Sequence, residues 1–166
     1  MKVILINGMA QSGKDTFISL CQKENSKTKI INISTVDLVK EAAIILGWNN
    51  IKDEKGRKFL SDLKSLALSY SDLSEKYIKD TLNNFQNNSM VAVFVHTREP
   101  EEIARLKEKF GAVTLLIKNN RVKDIVSNNS DKNCENYNYD YIIENNGSLL
   151  DLTIKAVEFM KKIKIL

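Results

Sequence analysis

The chain has 166 residues, 43% of them hydrophobic and 28% charged, which suits a single globular domain with a sizeable core and not a disordered or fibrous chain. A formal charge of +4 with no dense basic run argues against a nucleic-acid platform, and the two distant cysteines, Cys21 and Cys134, fit no metal spacing. No apolar run reaches membrane-spanning length, and Met1-Lys2-Val3 enters a strand without the layout of a signal peptide, so a cytoplasmic location is expected.

Residues 2–7 read as a buried strand and 14–24 as a helix with Phe17, Ile18 and Cys21 inward. After an Asn25-Ser26-Lys27 turn, Lys29-Ile30-Ile31-Asn32-Ile33 is a second strand. Ser34-Thr35-Val36-Asp37 matches a capping box and opens a helix carrying Leu38, Ala42, Ile45 and Leu46 that stops at Gly47. Apolar residues at helical spacing predict amphipathic helices over 54–70 and 74–86, with Asn87-Asn88 breaking the second. Met90 to Val95 is a central strand, Pro100 opens a helix ending near Gly111, and 113–117 is a fourth strand. Residues 118–138 are polar, 139–143 form a fifth strand, Asn145-Asn146-Gly147 turns, and Ser148 caps a final helix over 149–163. Strands alternating with helices predict an α/β domain with a parallel sheet, whose ligands bind outside the carboxyl ends of the strands.

One stretch at such an end carries chemistry. Gly8-Met9-Ala10-Gln11-Ser12-Gly13-Lys14 follows the first strand, precedes the first helix, and matches the phosphate-binding pattern G-x-x-x-x-G-K. Glycines let the backbone turn and approach phosphate closely, and successive N–H groups at a helix N-terminus form an anion cradle. Lys14 would reach the β- and γ-phosphates of a nucleotide. The pattern places Ser or Thr directly after the lysine. Here Asp15 stands there and Thr16 follows, so the magnesium-binding hydroxyl is either displaced by one residue or absent.

Ser12-Gly13-Lys14-Asp15-Thr16 resembles the loop of the phage and bacterial deoxynucleoside monophosphate kinases, and the layout as a whole is similar to the P-loop nucleoside monophosphate kinases. Phosphomevalonate kinases of the animal type carry a similar Ser-Gly-Lys-Asp, and a dephospho-coenzyme A kinase would share the donor site. The resemblance implies a three-layer P-loop fold with a five-stranded parallel sheet. Its core would span 1–48, 89–117 and 139–166, with a helical acceptor-binding insert at 49–88 and a short lid at 118–138. It implies phosphoryl transfer from ATP, with magnesium, to a small phosphorylated acceptor, first of all a (deoxy)nucleoside monophosphate, in a monomer or homodimer.

Within that resemblance Gly8, Ala10, Gln11, Ser12, Gly13, Lys14, Asp15 and Thr16 hold the donor, and Thr16 is the metal hydroxyl by analogy with loops carrying Gly-Lys-x-Thr. Arg98 either grips the acceptor phosphate or pairs with Glu101 or Glu102, and Arg121 is either a lid arginine or a solvated charge. Asp37 either orients the acceptor or only caps its helix, and Asn146 either contacts adenine or only turns the chain. The related kinases end their third strand in Asp-x-Arg, whereas this chain has His96-Thr97-Arg98. A nucleotide-binding regulatory protein with weak catalysis is the alternative this departure suggests.

Overall fold

Residues 1–86, 90–122 and 134–166 are described by the structure, a computed structural model. Five strands are laid down in the chain order that the alternating pattern requires: β1 (Lys2–Asn7), β2 (Lys29–Ser34), β3 (Val91–His96), β4 (Val113–Lys118) and β5 (Tyr141–Glu144). They form one parallel sheet in the order β2-β3-β1-β4-β5. β1 lies at its centre, with Ile4 opposite both Phe94 and Val113. Its run Val3-Ile4-Leu5-Ile6 is buried on both faces, which is why it is continuously apolar and not alternating.

The helices among the described residues are α1 (Lys14–Glu24), α2 (Asp37–Ile45), α3 (Glu54–Tyr70), α4 (Leu73–Asn83), α5 (Pro100–Phe110) and α6 (Leu149–Lys162). α1 and α6 cover one sheet face, where Phe17, Ile18, Ala156 and Phe159 close over Ile4, Ile6, Phe94 and Leu115. α5 packs on β1 and β4 and buries Ile103 and Leu106. The result is the three-layer α/β fold expected from the sequence. No helix among the described residues is long and apolar enough to cross a membrane.

The chain divides into two compact units, residues 1–32 with 87–166, and residues 33–86. The second unit takes in α2 as well as the helices of the 49–88 stretch, because α2 packs on α3. In it Trp48 is buried and donates its indole N–H to the Ile51 carbonyl, so it belongs to the core of that unit. Gly56 lies against that ring, where a Cβ would meet Trp48 Nε1 and the Ile51 carbonyl. Asp53 and Asp72 cap α3 and α4 by accepting from Gly56 N–H and Glu75 N–H.

Three local expectations change. The box at 34–37 is half made: Asp37 accepts from Ser34 N–H at 2.7 Å, but the Ser34 hydroxyl accepts from Val36 N–H, and the helix starts at Asp37 without a side-chain cap. In α2 the inward residues are Val39 and Ala43, four apart, while Ile45 and Leu46 are exposed. The last strand starts at Tyr141, because the Asp140 carboxylate is drawn to Thr114 and Lys107 and the Tyr139 hydroxyl to Asn7. The lid expected at 118–138 falls largely outside the described residues, as does the Asn87-Asn88 break.

Candidate functional site

The loop between β1 and α1 is built from backbone that ordinary side chains resist. Gly8, Gln11 and Gly13 all have positive φ, at 149°, 62° and 97°. A Cβ on Gly8 would meet the Ile117 carbonyl and lie 2.7 Å from Ser12 Oγ, and one on Gly13 would meet the Asn145 carboxamide. Both glycines are therefore required by close approach as well as by torsion. Gly13 is also the N-cap of α1 and carries no side chain to cap the first turn, and the positive end of the helix faces the loop. Lys14 Nζ lies across the loop, donating to the Gly8 and Met9 carbonyls at 2.7 and 2.8 Å. Ser12 is fully buried, its hydroxyl without a hydrogen-bond partner among the described residues. Met9, Ala10 and Gly13 are half-buried, while Gln11, Asp15 and Thr16 are exposed.

Asp15 and Thr16 follow in the first turn of α1. It is Asp15 whose carboxylate meets the strand ends: its Oδ1 is 3.4 Å from His96 Nε2 at the end of β3 and 3.2 Å from the Asn32 carboxamide of β2. Among the described residues no group of three or more His, Cys, Asp and Glu is placed to hold a metal ion. A nucleotide-bound magnesium asks for less, since it takes most of its ligands from phosphate and water and one or two from protein oxygens. The Asp15 carboxylate and the Thr16 hydroxyl, both exposed beside the cradle, fit that demand.

Beyond β3 the chain carries Arg98 on a well-fixed turn. Thr97 N–H donates to the Ile6 carbonyl, and the Thr97 hydroxyl donates at 3.0 Å to Glu102, a buried carboxylate in the first turn of α5. The Arg98 carbonyl accepts from the Asn7 carboxamide at 3.0 Å, and its side chain is exposed. The Asn145-Asn146-Gly147 turn closes the other side. Asn145 donates to the Ser12 carbonyl at 2.9 Å, while the Asn146 side-chain oxygen receives Asn120 N–H and its backbone carbonyl receives the Arg121 guanidinium at 2.7 Å. Arg121 thus stands in a short 3₁₀ turn, Asn120–Val122, tied to Asn146.

The structure therefore brings the loop, Arg98, Arg121 and Asn146 to the carboxyl ends of one sheet, within the first unit. Asp37 belongs to the second unit, where its carboxylate serves Ser34 N–H and pairs with Lys40 at 2.9 Å, the contacts of a helix start. Burial raises the pKa of the Tyr77 hydroxyl most, and the Asp37 and Glu41 carboxylates raise it further.

Two residues escaped the sequence reading. Asn7 and Tyr139 are both buried and hydrogen-bonded at 2.8 Å, and burial holds the Tyr139 hydroxyl well above the ordinary tyrosine range, so it stays protonated. The signal for Asn7 was present: one amide ends an otherwise apolar strand directly before the first glycine. Nothing in the sequence pairs it with a tyrosine 132 positions away.

No family model and no curated protein matches the sequence. Solved structures do match its fold. Shikimate kinase from Aquifex aeolicus aligns at a TM-score of 0.53 and 13% identity over 98% of each chain. Thymidylate kinase from Candida albicans aligns at 0.51 and 14%, over 98% of this chain and 92% of that one. APS kinase from Mycobacterium tuberculosis, in complex with AMPPNP and APS, aligns at 0.50 and 13%, over 96% and 97%. At these identities the likeness is one of architecture: the chain has the three-layer fold found in P-loop kinases.

Proposed function

We propose that this protein is a P-loop kinase that transfers the γ-phosphoryl group of ATP to a small phosphorylated acceptor, with nucleoside and deoxynucleoside monophosphates as the first acceptor class. The observation that carries the reading is the loop at 8–16: left-handed glycines that tolerate no Cβ, a glycine as the N-cap of the helix, and Lys14 held across it. Phosphoryl transfer needs positioning and charge compensation more than covalent chemistry from the protein. In this reading the backbone of residues 9–16 and Lys14 cradle the donor phosphates, and Arg98 grips the acceptor phosphate. Asp15 and Thr16 hold the magnesium shell; bound magnesium compensates charge on the phosphate oxygens. Arg121 closes over the phosphates as a lid arginine, Asn146 contacts the adenine, and 49–88 and 118–138 serve as acceptor-binding insert and lid, as the sequence resemblance implies. The neighbours name three different acceptors, so they favour no single one.

The test is ADP release from purified protein with Mg-ATP and each common nucleoside monophosphate, with phosphomevalonate and dephospho-coenzyme A alongside. Acceptor-dependent turnover with at least one, lost by about a hundredfold or more in Lys14→Ala, supports the reading. Absence of turnover with every acceptor contradicts it. His96, standing where the similar kinases carry an acid, favours a second reading, a nucleotide-binding regulatory protein with weak chemistry. Tight ATP binding without acceptor-stimulated turnover would select that second reading.

A further inference from the structure

Asn7 makes three side-chain hydrogen bonds, each to a different part of the site. Its Oδ1 accepts from Gly8 N–H at 2.8 Å, which fixes the first residue of the phosphate loop. Its Nδ2 donates to the Arg98 carbonyl at 3.0 Å and to the Tyr139 hydroxyl at 2.8 Å. Tyr139 in turn donates to the Cys134 carbonyl at 2.7 Å. Asn7 is 1% exposed, Tyr139 7% and Cys134 2%, so these bonds lie away from water, where an unmade one is costly.

The set has only one consistent direction of donation. The Arg98 carbonyl can only accept and Gly8 N–H can only donate, so the group between them must offer both an acceptor and a donor in one plane. A carboxamide does this, whereas a carboxylate would turn an oxygen on the Arg98 carbonyl. The Tyr139 proton is committed to Cys134, so Tyr139 receives from Asn7 rather than competing for its oxygen. Burial keeps that hydroxyl protonated, which preserves the direction.

We propose that Asn7 is a positioning residue that registers the arginine of the β3–α5 turn against the phosphate loop, through the Arg98 carbonyl on one side and Gly8 N–H on the other. The inference rests on the kinase reading above and names what sets the spacing between its donor and acceptor halves. Because the carboxamide holds the Arg98 backbone, its loss shifts the turn that carries the guanidinium, whereas the phosphate loop loses one tie, at Gly8 N–H, and keeps Lys14 on the Gly8 and Met9 carbonyls and Asn145 on the Ser12 carbonyl. Misplacement of a reacting group by about 1 Å costs up to about a hundredfold in rate, which scales the expected effect.

The experiment is a double-mutant cycle on acceptor-dependent kcat, with ATP affinity measured by calorimetry on the same preparations. Asn7→Ala is expected to lower kcat by about ten- to a hundredfold while the Kd for ATP moves by less than about threefold. In an Arg98→Ala background, Asn7→Ala is expected to cost almost nothing more, because the side chain it positions is gone. Tyr139→Phe keeps the ring and removes one partner of the carboxamide. It is the arm that keeps the core filled, expected to show a smaller loss with the same non-additivity. Equal fractional losses with Arg98 and with Ala at that position, or a fall in ATP affinity matching the fall in kcat, would assign Asn7 a purely structural role and overturn the proposal. Failure of the kinase reading shows elsewhere, as a wild-type protein with no acceptor-dependent turnover.

Discussion

Gly13 joins three demands in one position: a φ of 97°, close contact with the Asn145 carboxamide, and the N-cap of α1. Gly13→Ala must strain the backbone, at about 1–2 kcal/mol for a left-handed alanine, and push Asn145 off the Ser12 carbonyl. Thermal melts are expected to show that loss of stability, and calorimetry an ATP affinity at least tenfold weaker. An alanine variant with wild-type affinity would mean that the loop does not need this shape. Cys21 makes a contrast at the same scale. Burial pushes its thiol pKa up to about 12, so it stays protonated and packs as a small apolar side chain.

At the level of elements, most boundaries were legible because each is punctuated by a residue with one structural use. Pro100 opens α5, Gly111 closes it with a φ of 56°, and Ser148 with Asp151 makes a complete capping box on α6. What periodicity left undetermined was the inward face of α2 and the start of β5, since both depend on partners far along the chain. Asp140 shows why. Burial alone would raise its carboxyl pKa, but the Lys107 ammonium and the Thr114 N–H and hydroxyl outweigh it and hold the pKa below the ordinary value. Those bonds tie the residue preceding β5 to the start of β4 and to α5, and pull it out of the strand. A depressed folded-state pKa contributes stability that is present above the unfolded value, about 3.9, and is lost as pH falls through the folded value. Asp140→Asn is therefore expected to melt lower than wild type at pH 6, with the gap narrowing below about pH 4. A gap that stays constant across that range would refute the assignment.

For the molecule as a whole, the sequence marks the loop proposed to hold the donor phosphates but leaves its surroundings open. The loop pattern is local, so Gly8 to Lys14 could be read directly. The bonds that hold Arg98, Asn145 and Tyr139 around it run between strands that the sheet order β2-β3-β1-β4-β5 makes neighbours, and no spacing rule encodes them. The proposed acceptor is less legible still, since the helices α3 and α4 pack by ordinary amphipathic spacing. A ligand stabilises a fold by its binding free energy, so melting the protein with a Mg-ATP analogue and single phosphorylated metabolites should rank acceptors before any is turned over. A nucleoside monophosphate is expected to raise the melting temperature beyond the analogue alone. No further rise with any nucleoside monophosphate would remove that class from the reading.

The central claim, a polyphosphate cradle at residues 8–16, is met most directly by calorimetric titration of Mg-ATP into the wild-type protein and Lys14→Ala. Saturable binding at a single site, weakened at least tenfold by loss of the ammonium group, is the result expected. Absence of binding to the wild type, or one affinity for both proteins, would contradict it.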